Sequence, residues 1–442
     1  MDITNQSTDL LKRLFKSLKG SVKLRLWNGD SLKLGNSSDR LEPTYVLVFK
    51  NVKVVNALVL GNDPLRFAEA YFRDDIDVEG DFFAAIKLKD NLYALRISLF
   101  EKIQSLFSAG KLYFITQANR IQNLASTSSV DTMVMEAADD LEGTTVRHHT
   151  KAENKNAISF HYDVSNEFYK LWLDRNMIYS CAYFTESKVD LNQAQIDKLN
   201  HICKKLMLKP EESFLDIGCG WGALIIHAAR NFGVKSHGIT LSQQQFEYAT
   251  DRIKRANLQN RVTVELIDYR DLQGEASYDK ISSVGMFEHI GLKNLPTYFS
   301  TVNRLLKPCG LFLNHGITHF DIGWNKNLST TFINRYVFPD GQLDTISNIQ
   351  VQMEKSNFEI ADVESLRMHY ALTLRHWVSN LEKNHEQALE YVSESTYRIW
   401  RTYMAACALE FESGDIGVYQ ILSSKTHHGQ TKLPLTRKHL YI

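Results

Sequence analysis

Short apolar runs and amphipathic stretches alternate through the middle of the chain, and this alternation predicts a parallel β-sheet with helices on both faces. The predicted strands are Ser213–Ile217, Val234–Ile239, Val262–Ile267, Lys280–Val284 and Gly310–Asn314, with helices near Ala223–Phe232, Gln243–Ala256 and Leu295–Leu306. Ligands of such sheets bind beyond the carboxyl ends of the strands. The polar residues that follow each strand are therefore the first candidates for a functional site.

A different apolar pattern comes earlier and predicts a small α+β domain at residues 1–125. Its first helix, Asp9–Lys19, carries leucine and phenylalanine on one face and lysine and arginine on the other. Strand-like patterns follow over Val22–Val59, and a helical run over Phe82–Ser108 closes the domain. The basic amphipathic helix fits two placements, in a lipid headgroup layer or packed against its own domain, and both stay open.

Residues 126–156 show no apolar period and are predicted to form a flexible linker. Beyond the fifth strand the pattern becomes helical and aromatic, as in Thr331–Pro339 and Tyr391–Phe411. Such late helices usually form a lid or the pocket of a second substrate. We therefore expect a doubly wound, Rossmann-like α/β domain with an inserted helical lid at 157–421, followed by a basic C-terminal tail at 422–442.

The first strand of the sheet leads into a glycine-rich turn that contains Gly218, Gly220 and Gly222. Because glycine has no Cβ, such a turn lets backbone N–H groups approach a ligand closely. The acidic residue, Asp216, comes just before the glycines, whereas a dinucleotide fingerprint has its acid about 20 residues further on. A carboxylate at this position suits a ligand with ammonium and sulfonium charge, and S-adenosylmethionine is such a ligand.

Polar side chains follow the other strands as well. Thr240 and Gln245 follow the second strand and can bind ribose hydroxyls, and Asp268–Asp271 would lie beside the adenine. Glu288 follows the fourth strand and His315 follows the fifth. A carboxylate and an imidazole at neighbouring strand ends can converge on one proton or one small anion.

Composition narrows the classes of partner. The 51 basic and 51 acidic side chains cancel, so the global charge does not indicate nucleic acid binding. The five cysteines form no CxxC pair, so neither a metal site nor a disulfide framework is predicted. No apolar run approaches 18 residues and no signal peptide is indicated, which favours a cytoplasmic protein. Both ends are basic, which fits contact with an anionic membrane surface or simply solvated charge.

The segment from His161 to about Phe411 resembles the cyclopropane-fatty-acyl-phospholipid synthases and their mycolic-acid cyclopropane relatives. The matching motifs are His161-Tyr162-Asp163, Tyr179-Ser180-Cys181-Ala182-Tyr183-Phe184, Asp216-Ile217-Gly218-Cys219-Gly220-Trp221-Gly222, Gly238-Ile239-Thr240-Leu241-Ser242, Met286-Phe287-Glu288-His289 and His369-Tyr370-Ala371-Leu372-Thr373-Leu374. The resemblance implies a methyltransferase that uses S-adenosylmethionine to convert the cis double bond of an unsaturated phospholipid acyl chain into a cyclopropane. It also implies peripheral binding at the inner face of the membrane, and a homodimer stays open.

The resemblance further implies roles for individual residues. In the family a bicarbonate ion serves as general base, and its cage here would be Cys181 and Ile317 through their backbone N–H groups, with Glu288, His315 and Tyr370. The implied cofactor contacts are Tyr179, Ser180, Gly218, Gly220, Thr240, Gln245, Tyr269 and Arg270, beside Asp216 and Gly222 of the glycine turn. The family also has a cysteine at the place of Cys407, which here lies in an apolar helix, where a buried thiol is normally inert.

Attack of the alkene on the sulfonium methyl leaves a carbocation, which the aromatic faces of Tyr183, Phe287 and Phe338 could stabilise. The family often has Pro-Ser where Asp344-Thr345 stands here, so the acyl specificity is not determined by the resemblance.

Three other functions remain open. The first is a small-molecule N-methyltransferase, which the basic N-terminal domain disfavours. The second is a lipid-binding or cofactor-sensing protein without activity, which the presence of Glu288, His315 and Tyr370 disfavours. The third is a methyl-branched or methylene product in place of the ring.

Overall fold

The computed structural model describes residues 3–15, 18, 21–35, 43–52, 54–55, 64–93, 164–320, 332–333, 335–337 and 341–440. The chain divides into two compact units: Met1–Thr144 with Ser393–Ala406, and Thr145–Val392 with Cys407–Ile442. The predicted linker at 126–156, the His161–Asp163 motif and Phe338 lie outside the described residues.

The first unit contains a four-stranded sheet with the strand order β2-β1-β3-β4. Its elements are α1 (Ile3–Leu14), β1 (Val22–Arg25), β2 (Ser31–Leu34), β3 (Tyr45–Phe49), α2 (Pro64–Phe72), β4 (Ile76–Gly80) and α3 (Phe82–Tyr93). Strands β1 and β3 are parallel, and the other neighbours are antiparallel. This is the α+β arrangement that the alternating pattern predicted.

The apolar face of the first helix and of the turn after it is buried. Leu11, Phe15 and Leu18 are each at most 1% exposed, whereas Lys12 and Arg13 are exposed. Of the two placements that the sequence left open, the structure therefore shows packing within the protein. Any contact of this helix with a membrane would use its basic side chains.

Residues 393–406 belong to the first unit because Arg398 binds there. Its guanidinium donates to the carbonyl oxygens of Tyr71 at 3.0 Å and Ile76 at 2.9 Å, and it pairs with Asp74 at 2.6 Å. From its apolar pattern this stretch was predicted to belong to the domain at 157–421. An apolar helical pattern does not reveal which neighbour buries it, so this assignment could not be made from the pattern.

The second unit contains a seven-stranded sheet with the strand order β10-β11-β9-β8-β5-β6-β7. Its strands are β5 (Ser213–Ile217), β6 (Lys235–Thr240), β7 (Val262–Leu266), β8 (Tyr278–Val284), β9 (Leu306–His319), β10 (Glu359–Ser365) and β11 (Ile416–Ser424). Its helices are α4 (Asn166–Lys170), α5 (Leu191–Lys205), α6 (Ala223–Phe232), α7 (Gln243–Arg255), α8 (Leu295–Leu305), α9 (Ile346–Lys355), α10 (Arg367–Lys383), α11 (His385–Ala388) and the second part of α12 (Glu394–Ser413).

Strands β5 to β9 pair in parallel, as predicted, and β5 and α6 have the predicted bounds. The sheet is not parallel throughout, because β11 pairs antiparallel with both β9 and β10. These last two strands were missed, since the region beyond the fifth strand was interpreted as helical. The result is a mixed sheet with an antiparallel edge, which is common in doubly wound folds.

Successive residues of the central strand face opposite layers of helices. Phe214 packs with residues of α5 and α6, whereas Leu215 packs with residues of α8 and α9. Both side chains are fully buried. This period of two holds the sheet between two apolar layers.

The region predicted as a basic tail is partly built into the sheet. Strand β11 continues to Ser424, so the predicted boundary at 421 falls inside a strand. The Lys425 ammonium donates to the carbonyl oxygens of Asn303 at 2.7 Å and Leu306 at 2.9 Å, and Arg437 pairs with Asp362. These two basic side chains therefore have partners within the protein. In the part of the chain that the structure describes, no helix has the length and apolar character needed to span a bilayer.

Candidate active site

A pocket opens at the carboxyl ends of β5, β6 and β8, and it encloses about 1110 Å³ when counted out to its mouth. The predicted cofactor residues that line it are Tyr179, Ser180, Asp216, Gly218, Gly220, Thr240, Gln245 and Tyr269. Two others, Gly222 and Arg270, are not part of the lining. The pocket lies beyond the carboxyl ends of the parallel strands, where the sequence pattern predicted a ligand site.

The glycine turn has the backbone conformation that its sequence requires. Gly218 has φ 81°, a value that residues with a side chain rarely adopt, and a Cβ there would lie 3.0 Å from Met286 Cγ. The N–H groups of Gly218 and Cys219 both donate to the carbonyl oxygen of Ile239, at 3.0 and 2.9 Å. The turn therefore lines the pocket with backbone that carries no side chain at Gly218. The expectation that its N–H groups bind a ligand does not hold for Gly218 and Cys219, because both donate to Ile239.

Asp216 is a buried carboxylate at the end of β5. It is 3% exposed, and its Oδ1 accepts a hydrogen bond of 2.6 Å from the Ser282 hydroxyl. Burial raises the pKa of Asp216 to about 6, although Ser282 and the charge of Lys198 oppose the shift. A carboxylate held out of water in this way is stabilised by a cationic ligand.

Thr240 and Gln245 form one polar group after β6. The Thr240 hydroxyl donates to Gln245 Oε1 at 2.7 Å, and Ser242 caps the following helix by accepting from the N–H of Gln245. In the described ranges the Gln245 amide nitrogen has no partner, so it can donate to a ligand hydroxyl.

The two predicted cofactor residues outside the lining have structural contacts instead. The Arg270 guanidinium makes a two-point ion pair with Asp268, at 2.8 and 2.6 Å. Gly222 is the N-cap of α6, with φ 82°. Their role as cofactor contacts stays a prediction, and Asp268 is the member of this ion pair that lines the pocket.

A second polar group lies behind the pocket around Glu288. Glu288 Oε1 accepts the backbone N–H of Ile317 at 2.7 Å, and its buried Oε2 has no hydrogen-bond partner among the described residues. Burial raises the pKa of Glu288 to about 7, partly opposed by these hydrogen bonds. The N–H that the sequence analysis assigned to an anion is thus bound to Glu288.

His315 is 1% exposed on β9, and its Nδ1 lies 3.2 Å from the amide nitrogen of Gln420. Burial, together with the charges of Lys198 and Lys205, lowers the pKa of His315 to about 3. The imidazole is therefore neutral. With Gln420 as donor to Nδ1, the ring proton lies on Nε2.

Cys181 and Tyr370 meet at the carbonyl oxygen of Leu366. The Cys181 Sγ lies 3.8 Å from that oxygen, and the backbone N–H of Tyr370 donates to it at 3.1 Å. Burial raises the pKa of the Cys181 thiol, so this cysteine is not a thiolate. Among the predicted cage residues, Glu288 and Ile317 are hydrogen-bonded to each other, whereas Cys181 and Tyr370 share only the Leu366 carbonyl as a neighbour.

Two further residues were singled out for their chemistry. Cys407 is 8% exposed in α12, between the buried Ala405 and Ala408, as expected of a thiol that packs in a core. The ring of Tyr183 stacks against those of His201 at 4.2 Å and His369 at 4.9 Å. Since protein rings already stack on Tyr183, it is a poor candidate for stabilising a carbocation.

Lys198 was not among the predicted site residues, although it lines the pocket. It is 2% exposed, and it lies one helical turn from the buried Ala194 and Ile202. A lysine on the apolar face of a predicted helix was the signal that could have revealed it. Within the described ranges, no group of three or more His, Cys, Asp or Glu side chains is placed to hold a metal ion.

Comparison with known proteins establishes the family. Residues 149–421 match the model of the mycolic acid cyclopropane synthetase family. The chain belongs to this family. Its fold is that of S-adenosylmethionine-dependent methyltransferases.

The relatives of this cyclopropane synthetase family member differ in how much of it they cover. A probable fatty acid methyltransferase of Pseudomonas putida is 38% identical over 96% of this chain and 98% of its own length. The cyclopropane-fatty-acyl-phospholipid synthase of Escherichia coli K12 is 39% identical over 60% of this chain and 66% of its own. The crystal structure of the mycolic acid cyclopropane synthase CmaA1, complexed with SAH and CTAB, is 33% identical, with a TM-score of 0.58, and covers 61% of this chain and 98% of that one.

The raised pKa of Glu288 makes a prediction about stability. Its ordinary pKa is 4.5 and its folded value is about 7, so folding takes up a proton between these pH values. Below pH 4.5 this carboxyl is protonated in both the folded and the unfolded protein and does not lower the free energy of unfolding. As the pH rises to 7, the unfolded protein loses this proton first, so the free energy of unfolding decreases. We therefore expect Glu288→Gln to gain free energy of unfolding relative to the wild type across this window, by at most about 1.4 kcal/mol per pH unit.

The measurement is urea unfolding of both proteins from pH 5 to pH 8.5. Above about pH 7.5 the difference between them should be constant. The matched control is Glu390→Gln, since Glu390 is exposed, and its difference from the wild type should not change with pH. A difference for Glu288→Gln that is equally flat would contradict a buried carboxyl with a raised pKa.

Proposed function

We propose that this protein transfers the methyl group of S-adenosylmethionine to the cis double bond of an unsaturated phospholipid acyl chain and closes the ring to a cyclopropane fatty acid. The observation that carries the proposal is the buried Asp216 at the glycine turn, with the buried Glu288 one strand away. The first suits a cationic methyl donor, and the second suits removal of a proton.

The pocket residues fit the donor. Asp216 can bind its ammonium group, and the polar pair Thr240 and Gln245 can bind its ribose hydroxyls. Tyr269 presents a buried hydroxyl with no partner among the described residues. The family member CmaA1 was crystallised with SAH, the demethylated form of the same molecule, which supports this ligand for the related chain.

The acceptor requires exclusion of water. An alkene is a weak nucleophile, so it must be held in line with the sulfonium methyl, and water would trap the resulting carbocation as an alcohol. Phe287 is 3% exposed and directly precedes Glu288, and a Cβ on Gly316 would lie 2.0 Å from its ring. Of Tyr183 and Phe287, we propose that Phe287 stabilises the cation, because the ring of Tyr183 already stacks against two histidine rings.

The group around Glu288 is proposed to bind bicarbonate. Glu288 Oε2 can exchange a proton with a small anion, and His315 can donate from Nε2. Bound there, bicarbonate would supply the base that removes a proton from the added methyl. The contact assigned to Ile317 departs from the expected cage, because its N–H already donates to Glu288.

The proposed substrate requires contact with a membrane surface. An acyl chain must leave the bilayer to reach the pocket, and exposed basic residues such as Lys12 can bind anionic headgroups. We therefore propose peripheral association with the inner face of the membrane. Lys425 is less suited to this contact, because its ammonium already donates to two backbone carbonyl oxygens.

The test is a product assay. Purified protein is incubated with methyl-labelled S-adenosylmethionine and vesicles that contain phosphatidylglycerol with cis-unsaturated acyl chains, and the released fatty acids are analysed by mass spectrometry. We expect each converted chain to gain one CH2 and to lose its double bond. Activity should fall as salt screens the anionic vesicle surface.

The Pseudomonas putida relative is named only as a probable fatty acid methyltransferase, a name that also fits a second candidate product, a methyl-branched or methylene fatty acid. A methylene product gains the same mass but keeps a reducible double bond, so hydrogenation before mass spectrometry separates it from the ring. Absence of label from the phospholipid, with label instead on an added amine, would replace the proposal with an N-methyltransferase.

Removal of the Glu288 carboxylate should affect turnover and not cofactor binding. We expect Glu288→Gln to lower kcat by roughly 100- to 10,000-fold, because the base is needed only after methyl transfer. Affinity for S-adenosylhomocysteine, measured by calorimetry, should stay within about threefold of the wild type. Added bicarbonate should restore part of the activity, and full activity of this variant in bicarbonate-depleted buffer would show that Glu288 only braces its loop.

A further inference from the structure

Lys198 is a buried cation in the wall of the pocket whose role is not explained by the reaction described above. It lies on α5, is 2% exposed, and lines the same pocket as Asp216 and Ser180. An ammonium group is rarely buried to this degree without an anionic partner.

The position of the ammonium is well defined by its neighbours. Lys198 Nζ donates to the Ser180 hydroxyl at 2.7 Å. One turn earlier, Gln195 donates to the backbone carbonyl of Ser180 at 2.9 Å. Helix α5 therefore holds the segment at Ser180 with two side chains and sets the ammonium beside it at the pocket wall.

The ammonium has more donors than the described residues use. It carries three N–H groups, and the structure shows one hydrogen bond and no carboxylate within 4.0 Å among the described residues. Burial lowers the pKa of Lys198 to about 8, and the carboxylates of Asp174 and Asp216 oppose this shift. Charge of the opposite sign is thus near but not in contact, and two donors remain for a ligand.

A pocket wall with one buried cation and one buried anion fits a zwitterion. We propose that Lys198 binds the carboxylate of the amino-acid end of S-adenosylmethionine, while Asp216 binds its ammonium. This inference rests on the proposed function, because it takes S-adenosylmethionine as the ligand. The Glu288 group is the less suitable partner for Lys198, since Glu288 does not line the pocket that Lys198 lines.

The experiment compares two ligands that differ in this carboxylate. Calorimetry measures the affinities of the wild type and of Lys198→Met for S-adenosylmethionine and for its decarboxylated analogue. We expect the wild type to prefer S-adenosylmethionine by roughly 10- to 100-fold, the range of one charge-assisted contact. Lys198→Met should lose this preference and bind both ligands with similar affinity.

Two further variants distinguish a lost contact with the ligand carboxylate from a general effect of removing a buried lysine. Lys280 is another buried lysine, 4% exposed on β8 and not part of the pocket lining, so Lys280→Met should keep the wild-type preference. If Lys198→Met does not fold, as judged by circular dichroism, Lys198→Gln replaces it, and the preference of the wild type is itself a test. Equal binding of both ligands by the wild type, or an equal loss for both ligands in the variant, would overturn the inference. Failure of the wild type to bind either ligand would instead overturn the proposed function.

Discussion

The site is arranged around a carboxylate that is held out of water at the end of the central strand. Asp216 is 3% exposed, and burial raises its pKa to about 6. The Ser282 hydroxyl on the neighbouring strand and the charge of Lys198 oppose that shift. Ser282 and Lys198 thus favour the ionised form of Asp216 in the buried wall of the pocket, and a cationic methyl donor would stabilise this carboxylate further.

The parallel strands explain why the chemical groups are near one another. Parallel pairing of β5, β6, β8 and β9 brings their carboxyl ends to one edge, so residues distant in sequence share a site. Glu288 follows β8 and His315 lies near the carboxyl end of β9, and burial shifts their pKa values in opposite directions, to about 7 and about 3. One group can therefore exchange a proton near neutral pH while the other stays a neutral donor.

The sequence predicted the part of the fold that depends on local pattern. Strand β5 and helix α6 have the predicted bounds because an apolar strand, glycines and an apolar helix follow each other without ambiguity. Strands β10 and β11 were missed because they pair with segments that are distant in sequence, and a local apolar pattern does not reveal such pairing. The same limit applies to the site: Asp216 was found from its motif, whereas Lys198 was missed because a helical pattern does not show which pocket its apolar face lines.

We infer that the turn after Asp216 admits S-adenosylmethionine because backbone without side chains lines the pocket there. Calorimetry with S-adenosylhomocysteine tests it on the wild type and on Gly218→Val. Because Gly218 has φ 81° and a Cβ there would lie 3.0 Å from Met286 Cγ, a valine must displace its surroundings. We expect binding to fall at least about 100-fold. Affinity near that of the wild type, in a variant that remains folded, would contradict the assignment of this pocket to the methyl donor.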